Sequence, residues 1–325
     1  MPLIDKYIYA FSNLHTDKGR SRYPTYTKHR APHKLILLLS VLDLIEEGTI
    51  NNNFIEVTPE LGEIFTDYWA IVMPLDKKGK IVYPFFHLQK ESFWHLLPKP
   101  GKEEILNSTR EISSIYRLLE IIMGSKLDDE LFLLLLSKKE RNILRTVLIQ
   151  TYFDLSISDQ VITQSKINIE SYKYSLNLLK KNPRVSENQS SKDDYKEKAR
   201  DQGFRKAVVT AYDHRCAFCG IRMRTPDGHT AVDGAHIIPW RISYNDFPQN
   251  GISLCKLCHW SFDEGLISIS DKYKILTSRR LNINNNIAGH INTFENRDIV
   301  KPHDTYLWPA QDSVKYHRTK IFKSK

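Results

Sequence analysis

Cysteine is scarce in this chain. Its 325 residues include four cysteines, all in two C-x2-C pairs, Cys216/Cys219 and Cys255/Cys258. A secreted disulfide scaffold would scatter them, so this usage favours a reducing cytosol and a bound metal. Long apolar runs are also missing. The longest, Leu131 to Leu136, falls far short of the roughly 18 residues that a membrane span requires. The opening Met1-Pro2-Leu3-Ile4-Asp5-Lys6 has no long apolar region, so no secretory signal is expected and the expected location is the cytoplasm. Acidic charge does not balance basic charge: 47 Lys and Arg face 38 Asp and Glu, giving a net charge of +9 and a pI near 9.2. A polyanion is the partner this implies, and nucleic acid leads; the bland alternative is a basic soluble enzyme. The hydrophobic fraction, 41%, is ordinary, so a chain of this length should form two domains, each with its own core.

What is present is concentrated between residues 216 and 263. Cys216-Ala-Phe-Cys219-Gly should make a tight knuckle, and Cys255-Lys-Leu-Cys258 the other half of the site. Four thiolates at this spacing point to a closed, structural Zn2+ site. Between the pairs, Thr230 to Ile238 reads as a strand that carries His236 near its end, and Pro239 breaks it. Asn250-Gly251 begins a turn into Ile252 to Cys255, and a helix should start near Cys258. His259 and Asp263, four positions apart, would then share one helical face and could ligate one cation. Zinc held by four cysteines has no open position, so this cation must be a second one.

The order His236, Asn250, His259 is that of a metal-dependent nuclease centre. Residues 200–280 resemble the HNH endonucleases, which have a ββα-metal fold, and among them the McrA-type restriction nucleases. His259 falls nine residues after Asn250, as the third HNH position does. The resemblance implies that His236 is the general base and that Asn250 holds the loop and orients the His236 ring. It further implies that His259 binds a catalytic divalent cation such as Mg2+ or Mn2+. Many HNH sites place a ligand directly before the base, but that position is Ala235 here. Asp233 could substitute only through a bulge, because residues three apart on a strand face opposite ways. Asp263 is therefore the preferred carboxylate.

In the amino-terminal half, His33 to Glu47 reads as a helix, preceded by Pro32, stopped by Gly48 and apolar nearly all round, the buried hub of its domain. Thr58 should cap a second helix with Pro59 in its first position and Leu61, Ile64, Phe65, Tyr68 and Trp69 on its apolar face. Lys80 to Leu88 and Ser92 to Leu97 look like two short strands joined at residues 89–91; Pro84 demotes the first to an edge. Before the hub lies Arg20 to Arg30, a basic segment interleaved with tyrosines and suited to phosphate and base contacts.

These segments, His29-Arg-Ala-Pro-His-Lys-Leu-Ile-Leu-Leu-Leu, Thr58-Pro-Glu-Leu, Tyr83-Pro-Phe-Phe-His-Leu and Phe93-Trp-His-Leu, resemble the sulfur-recognition domain of restriction endonucleases that act on phosphorothioate-modified DNA. The resemblance covers roughly residues 1–155. In that family the sulfur sits in a shallow apolar cavity beside a proline ring, flanked by basic side chains, and the matching positions are His29, Arg30, Tyr83 and Pro84. His87 stands where the family uses a small residue. The physics is coherent: sulfur is larger, more polarisable and less hydrated than oxygen, so it is cheaper to desolvate against Pro84 and Tyr83. Arg30 can meet the remaining charge or a guanine edge.

Residues Glu103 to Met123, Asp129 to Phe153 and Ser156 to Lys180 carry helical periodicity, as does Lys196 to Tyr212. The polar stretch from Lys181 to Asp194 is the expected linker. Asp271 to Thr277 reads as a strand; His290, His303 and His317 fall in a tail whose end, Lys315 to Lys325, is strongly basic. The expectation is thus an α+β protein: a mixed helix and short-strand recognition domain (1–155), a helical connector and linker (156–195), an HNH domain with a four-cysteine zinc site (196–300) and a basic tail (301–325). The expected activity is cleavage of double-stranded DNA near a phosphorothioate, with no membrane partner. Double-strand cleavage needs two centres, which a homodimer or paired action would supply. The rivals are an HNH nuclease specific for methylated or hydroxymethylated cytosine, which would flip its base into an aromatic pocket, and a non-catalytic, zinc-stabilised DNA-binding protein.

Overall fold

The computed structural model describes residues 2–181, 194–226, 228–281 and 290–324. The expected linker, 181–194, lies outside the described residues apart from its two ends. The chain divides into two compact units, Met1–Ile169 with Thr225–His229, and Glu170–Arg224 with Thr230–Lys325.

Unit 1 contains α1 (Leu3–Ser12), α2 (His33–Glu47), α3 (Pro59–Val72), α4 (Val82–His87), β1 (Trp94–Pro98), α5 (Glu103–Ser108), α6 (Ile115–Ile121), β2 (Ile122–Leu127), α7 (Asp129–Leu136), α8 (Lys138–Tyr152) and the first part of α9 (Leu155–Leu178). α2 is the hub: every residue from Lys34 to Ile45 is buried. It ends at Gly48, whose φ of 81° is the left-handed conformation that glycine adopts without penalty. The Thr58 hydroxyl accepts the Leu61 N–H at 3.2 Å and Pro59 opens α3, as the sequence predicts. Inside this apolar core lies Asp43, fully buried. It accepts hydrogen bonds from Tyr68 (2.7 Å), Ser165 (2.6 Å) and Asn168 (2.9 Å) and pairs with Arg145 at 3.1 Å. One carboxylate thereby ties together α2, α3, α8 and α9, and unit 1 runs to Ile169 rather than to residue 155.

Four expectations are corrected here. Residues 82–87 form the helix α4, not a strand. Pro84 sits in the first helical turn, where its missing N–H costs nothing, and it is buried. The second expected strand exists as β1, but its partner is β2, antiparallel from Trp94↔Leu127 to Leu97↔Gly124. The expected helix over 103–123 is interrupted between Ser108 and Ile115 and yields to β2 at Ile122. Gly124 shows why a strand wins: a side chain there would come within 2.6 Å of the Ile55 carbonyl oxygen, whose own N–H and C=O pair with Ser125. The helix expected over 129–153 is two helices, broken at Ser137, whose backbone is extended and whose hydroxyl donates to Glu140.

Unit 2 contains the end of α9, then α10 (Asp194–Ala211), β3 (Val232–His236), α11 (Trp240–Ser243), β4 (Gly251–Cys255), α12 (Lys256–Asp263), β5 (Ile267–Ile269), β6 (Ile275–Thr277) and α13 (Gln311–Lys320). β3 and β4 are antiparallel, from Val232↔Cys255 to His236↔Gly251, without a bulge. α10 packs against this hairpin at two glycines. A side chain on Gly234 would meet the Arg205 Cα at 2.9 Å, and one on Gly251 would meet Val208 Cγ2 at 2.3 Å. Gly251 is therefore needed for close approach; its φ of −117° makes no turn demand. The basic carboxy-terminal segment is helical over Gln311–Lys320. Its core-facing residues Val314 and His317 are buried, and α13 packs against β5 because Ser268 and the Phe262 carbonyl both hydrogen-bond the His317 ring.

Candidate functional site

The knuckle around Cys216 is shaped by its backbone. The Cys216 N–H donates to the Ile221 carbonyl and the Gly220 N–H to the Cys216 carbonyl, both at 2.9 Å, with Gly220 at φ 74°. Ala217 N–H then docks on the Ser253 carbonyl of β4 at 2.7 Å, bringing the two cysteine pairs together. All four Sγ atoms lie within 4.8 Å of one another, and none is in a disulfide. The Cys219–Cys255 Sγ separation is 3.8 Å. A zinc tetrahedron with Zn–S bonds of about 2.3 Å has edges of about 3.8 Å, so the donor set fits zinc in both chemistry and size. Hydrogen bonding from Cys258 draws the Cys216 thiol down to about 5, while burial pushes Cys219 up to about 12 and the bond to Cys216 raises Cys258. Thiolates this close repel one another unless a cation lies between them.

His236 stands at the end of β3. Its ring stacks on Phe204 of α10, with centroids 3.7 Å apart and planes 6° from parallel. Its Nε2 is 2.8 Å from Asp246 Oδ1. The side chain of His236 is 14% exposed and that of Asp246 is 3% exposed. Asp246 is further held by Arg200, at 3.0 and 2.7 Å, and by the Tyr174 hydroxyl at 3.0 Å. Burial opposes ionisation of Asp246, but the bonds from His236 and Arg200 together outweigh it and hold the carboxyl below its usual range. Arg200 in turn lies 4.0 Å from the centroid of the Trp240 ring.

Asn250 does not reach the imidazole. Its Oδ1 accepts the Ile238 N–H at 2.9 Å, and its Nδ2 donates to the Ile238 and Asn245 carbonyls, both at 3.0 Å. It closes the 238–245 loop on itself, while its own backbone carbonyl accepts the Ile237 N–H at 2.8 Å, one residue beyond His236. The orientation of the ring comes instead from Phe204 and Asp246. Asp246 belongs to no motif in the sequence. Its only sequence signal is that it is the one acid between the two strands.

His259 and Asp263 share one face of α12, with Nε2 and Oδ2 3.5 Å apart and side chains 30% and 63% exposed. Asp233 is elsewhere engaged: it pairs with Arg205 at 3.2 Å and accepts the Gly234 N–H. With no bulge in β3, it does not come round to the side of His236.

Unit 1 holds a cavity of about 890 Å³ whose walls include Tyr23, Arg30, Lys34, Tyr83, Pro84 and His87. Three of the four residues matched to the sulfur site therefore line one space. His29 is not among its walls. Its backbone is left-handed (φ 54°), and its Nδ1 lies 3.1 Å from the Tyr23 carbonyl oxygen. Lys34 of this cavity wall pairs with Glu91 at 2.5 Å, and burial lowers the Lys34 ammonium despite that partner. Burial also lowers His87, assisted by Lys90 and Lys34.

Residues 216–270 match the HNH endonuclease family model. No curated protein matches the chain. Among solved structures, the chain is similar to a modification-dependent restriction endonuclease, TagI, at 26% identity. That match covers 36% of this chain and only 37% of that one, with a TM-score of 0.27. The matched segment takes in the four cysteines, the β3–β4 hairpin and α12, and it is there that the chain is similar to HNH endonucleases.

Proposed function

We propose that the protein is a restriction endonuclease that recognises phosphorothioate in double-stranded DNA through unit 1 and hydrolyses a nearby phosphodiester bond through unit 2. The nuclease half rests on the HNH match together with the placement of His236, a half-buried imidazole held by a carboxylate. The targeting half rests on one observation: Arg30, Tyr83 and Pro84, distant in sequence, line a single cavity. There an apolar ring, an aromatic face and a guanidinium meet, the combination that favours a weakly hydrated anionic sulfur over oxygen.

Zn2+ on Cys216, Cys219, Cys255 and Cys258 is structural in this reading. His259 and Asp263 would hold a second divalent cation, and their nitrogen and carboxylate donors suit Mg2+ or Mn2+. Bound there, it would polarise the scissile phosphate and stabilise the leaving oxygen. His236 removes a proton from the attacking water, and Asn250 keeps the neighbouring loop in shape.

Cleavage of matched duplexes tests both halves. The duplexes carry a phosphorothioate, methylcytosine, hydroxymethylcytosine or no mark, and are assayed with Mg2+ and with Mn2+. The expected result is cutting of the sulfur-marked duplex alone. Equal cutting of marked and unmarked DNA would overturn the targeting assignment, and cutting confined to modified cytosine would replace it. His236→Ala should retain DNA binding and lose cleavage by about 10²-fold or more; retained cleavage would remove His236 from the role of base.

A further inference from the structure

His236 is held by a group that the HNH motif does not name. Its Nε2 faces a carboxylate oxygen of Asp246 at 2.8 Å, and Nδ1 makes no hydrogen bond among the described residues. Asp246 also receives two contacts from one Arg200 nitrogen and one from the Tyr174 hydroxyl. A carboxylate so paired is an acceptor only, so the proton on the contact belongs to the histidine. That choice of donor fixes the neutral ring as the tautomer with hydrogen on Nε2 and the lone pair on Nδ1.

We propose that Asp246 is the positioning residue of the general base: by accepting the Nε2 proton of His236, it keeps the Nδ1 lone pair turned to the attacking water. This rests on the reading of His236 as base. In the step, the water oxygen bonds to phosphorus and its proton passes to Nδ1. The phosphorus–oxygen bond to the leaving sugar breaks, and that oxygen is protonated from solvent. The imidazolium so formed remains bonded through Nε2–H to Asp246, whose negative charge stabilises it. Arg200 and Tyr174 hold the carboxylate in place, and Phe204, stacked on the His236 ring, fixes its plane. Asp246 thus aligns the base without touching substrate.

Asp246→Asn is the informative variant. An amide can turn its N–H₂ toward Nε2, which makes that nitrogen the acceptor and moves the proton to Nδ1. The turnover rate should fall about 10⁴-fold, the scale of loss when the tautomer of a hydrolytic base is reversed. DNA affinity and zinc content should stay unchanged, and Asp246→Glu should restore part of the rate. Tyr174→Phe, which removes one of the supporting bonds, should cost far less. Nitrogen-15 NMR of the neutral His236 ring supplies a readout independent of cutting. In the unaltered full chain it should report hydrogen on Nε2, and in Asp246→Asn hydrogen on Nδ1. Hydrogen on Nδ1 in the unaltered protein overturns the proposal even if the variants fold poorly. So does full activity of Asp246→Asn alongside an inactive His236→Ala. If His236→Ala itself still cuts, the base assignment fails first, and the two failures are distinguishable.

Discussion

Two histidines of unit 2 sit in nearly the same ring contact and differ in everything else. His236 stacks on Phe204 and His317 stacks on Phe262, with centroids 3.7 and 3.6 Å apart. His236 meets a charged partner and retains access to solvent. His317 is 1% exposed, donates from Nε2 to the Phe262 carbonyl at 3.0 Å and accepts the Ser268 hydroxyl at Nδ1, 2.9 Å away. Both of its nitrogens are satisfied only when the ring is neutral, and burial lowers it from the usual 6.5 to about 4. Between those values the unfolded chain binds a proton that the folded chain refuses. Stability attributable to His317 is therefore full above about pH 6.5 and is lost as pH falls toward 4, by roughly 3 kcal/mol in all. Urea unfolding at pH 7 and pH 5 measures this. His317→Gln should be less stable than the native chain at pH 7, by about 1–3 kcal/mol, and the gap should narrow at pH 5. A gap independent of pH would show that His317 does not carry the acid sensitivity.

At the scale of elements, legibility follows how local the determining forces are. α2 declared itself through an unbroken apolar surface and a terminal glycine, and α3 through Thr58 and Pro59, because caps act within one turn. The β3–β4–α12 unit was readable because zinc spacing and the HNH order both constrain it. α4 was not, because an aromatic run with a proline suits a helix start as well as an edge strand, and tertiary packing of Phe85 and Phe86 decides between them. Asp246 was invisible for a similar reason: its partners Tyr174, Arg200 and His236 lie on three other segments. Asp43 is the same case inside unit 1, an acid in a helix that otherwise reads as apolar, joined to residues 25 to 125 positions away. Removing it leaves Arg145 buried with Glu46, 2.9 Å away, as its remaining anion. Asp43→Ala should therefore cost about 3 kcal/mol, the lower end for breaking a buried pair. The denaturation midpoint of unit 1 measures it. A loss under half a kcal/mol would mean that the network is not holding α9 to α2 and α3.

For the whole molecule, the distribution of apolar residues makes a claim about cooperativity. One core cluster draws on residues from Tyr7 to Val161 and the other on residues from Leu178 to Val314, and among the described residues none belongs to both. Each unit can then melt on its own account, because the interactions that make folding all-or-none are internal to a core. The four cysteines belong to the second cluster alone, Cys216 and Cys258 as buried members and Cys219 and Cys255 packed at its margin. A structural zinc site contributes about 10 kcal/mol or more of apparent binding energy, comparable to the entire stability of a domain. Withdrawing zinc should therefore unfold unit 2 and leave unit 1 intact. Differential scanning calorimetry of the full chain should show two transitions, and a strong chelator should abolish or sharply lower one while leaving the other within a degree or two. Cys219→Ser should do the same without chelator, with zinc content falling in parallel. Oligonucleotide binding should then separate the units' roles, since the chelated protein keeps the Arg30, Tyr83 and Pro84 cavity but loses the hairpin that carries His236. Retained preference for a phosphorothioate duplex without cleavage would locate recognition in unit 1, whereas loss of that preference together with unit 2 would place it in the nuclease unit instead.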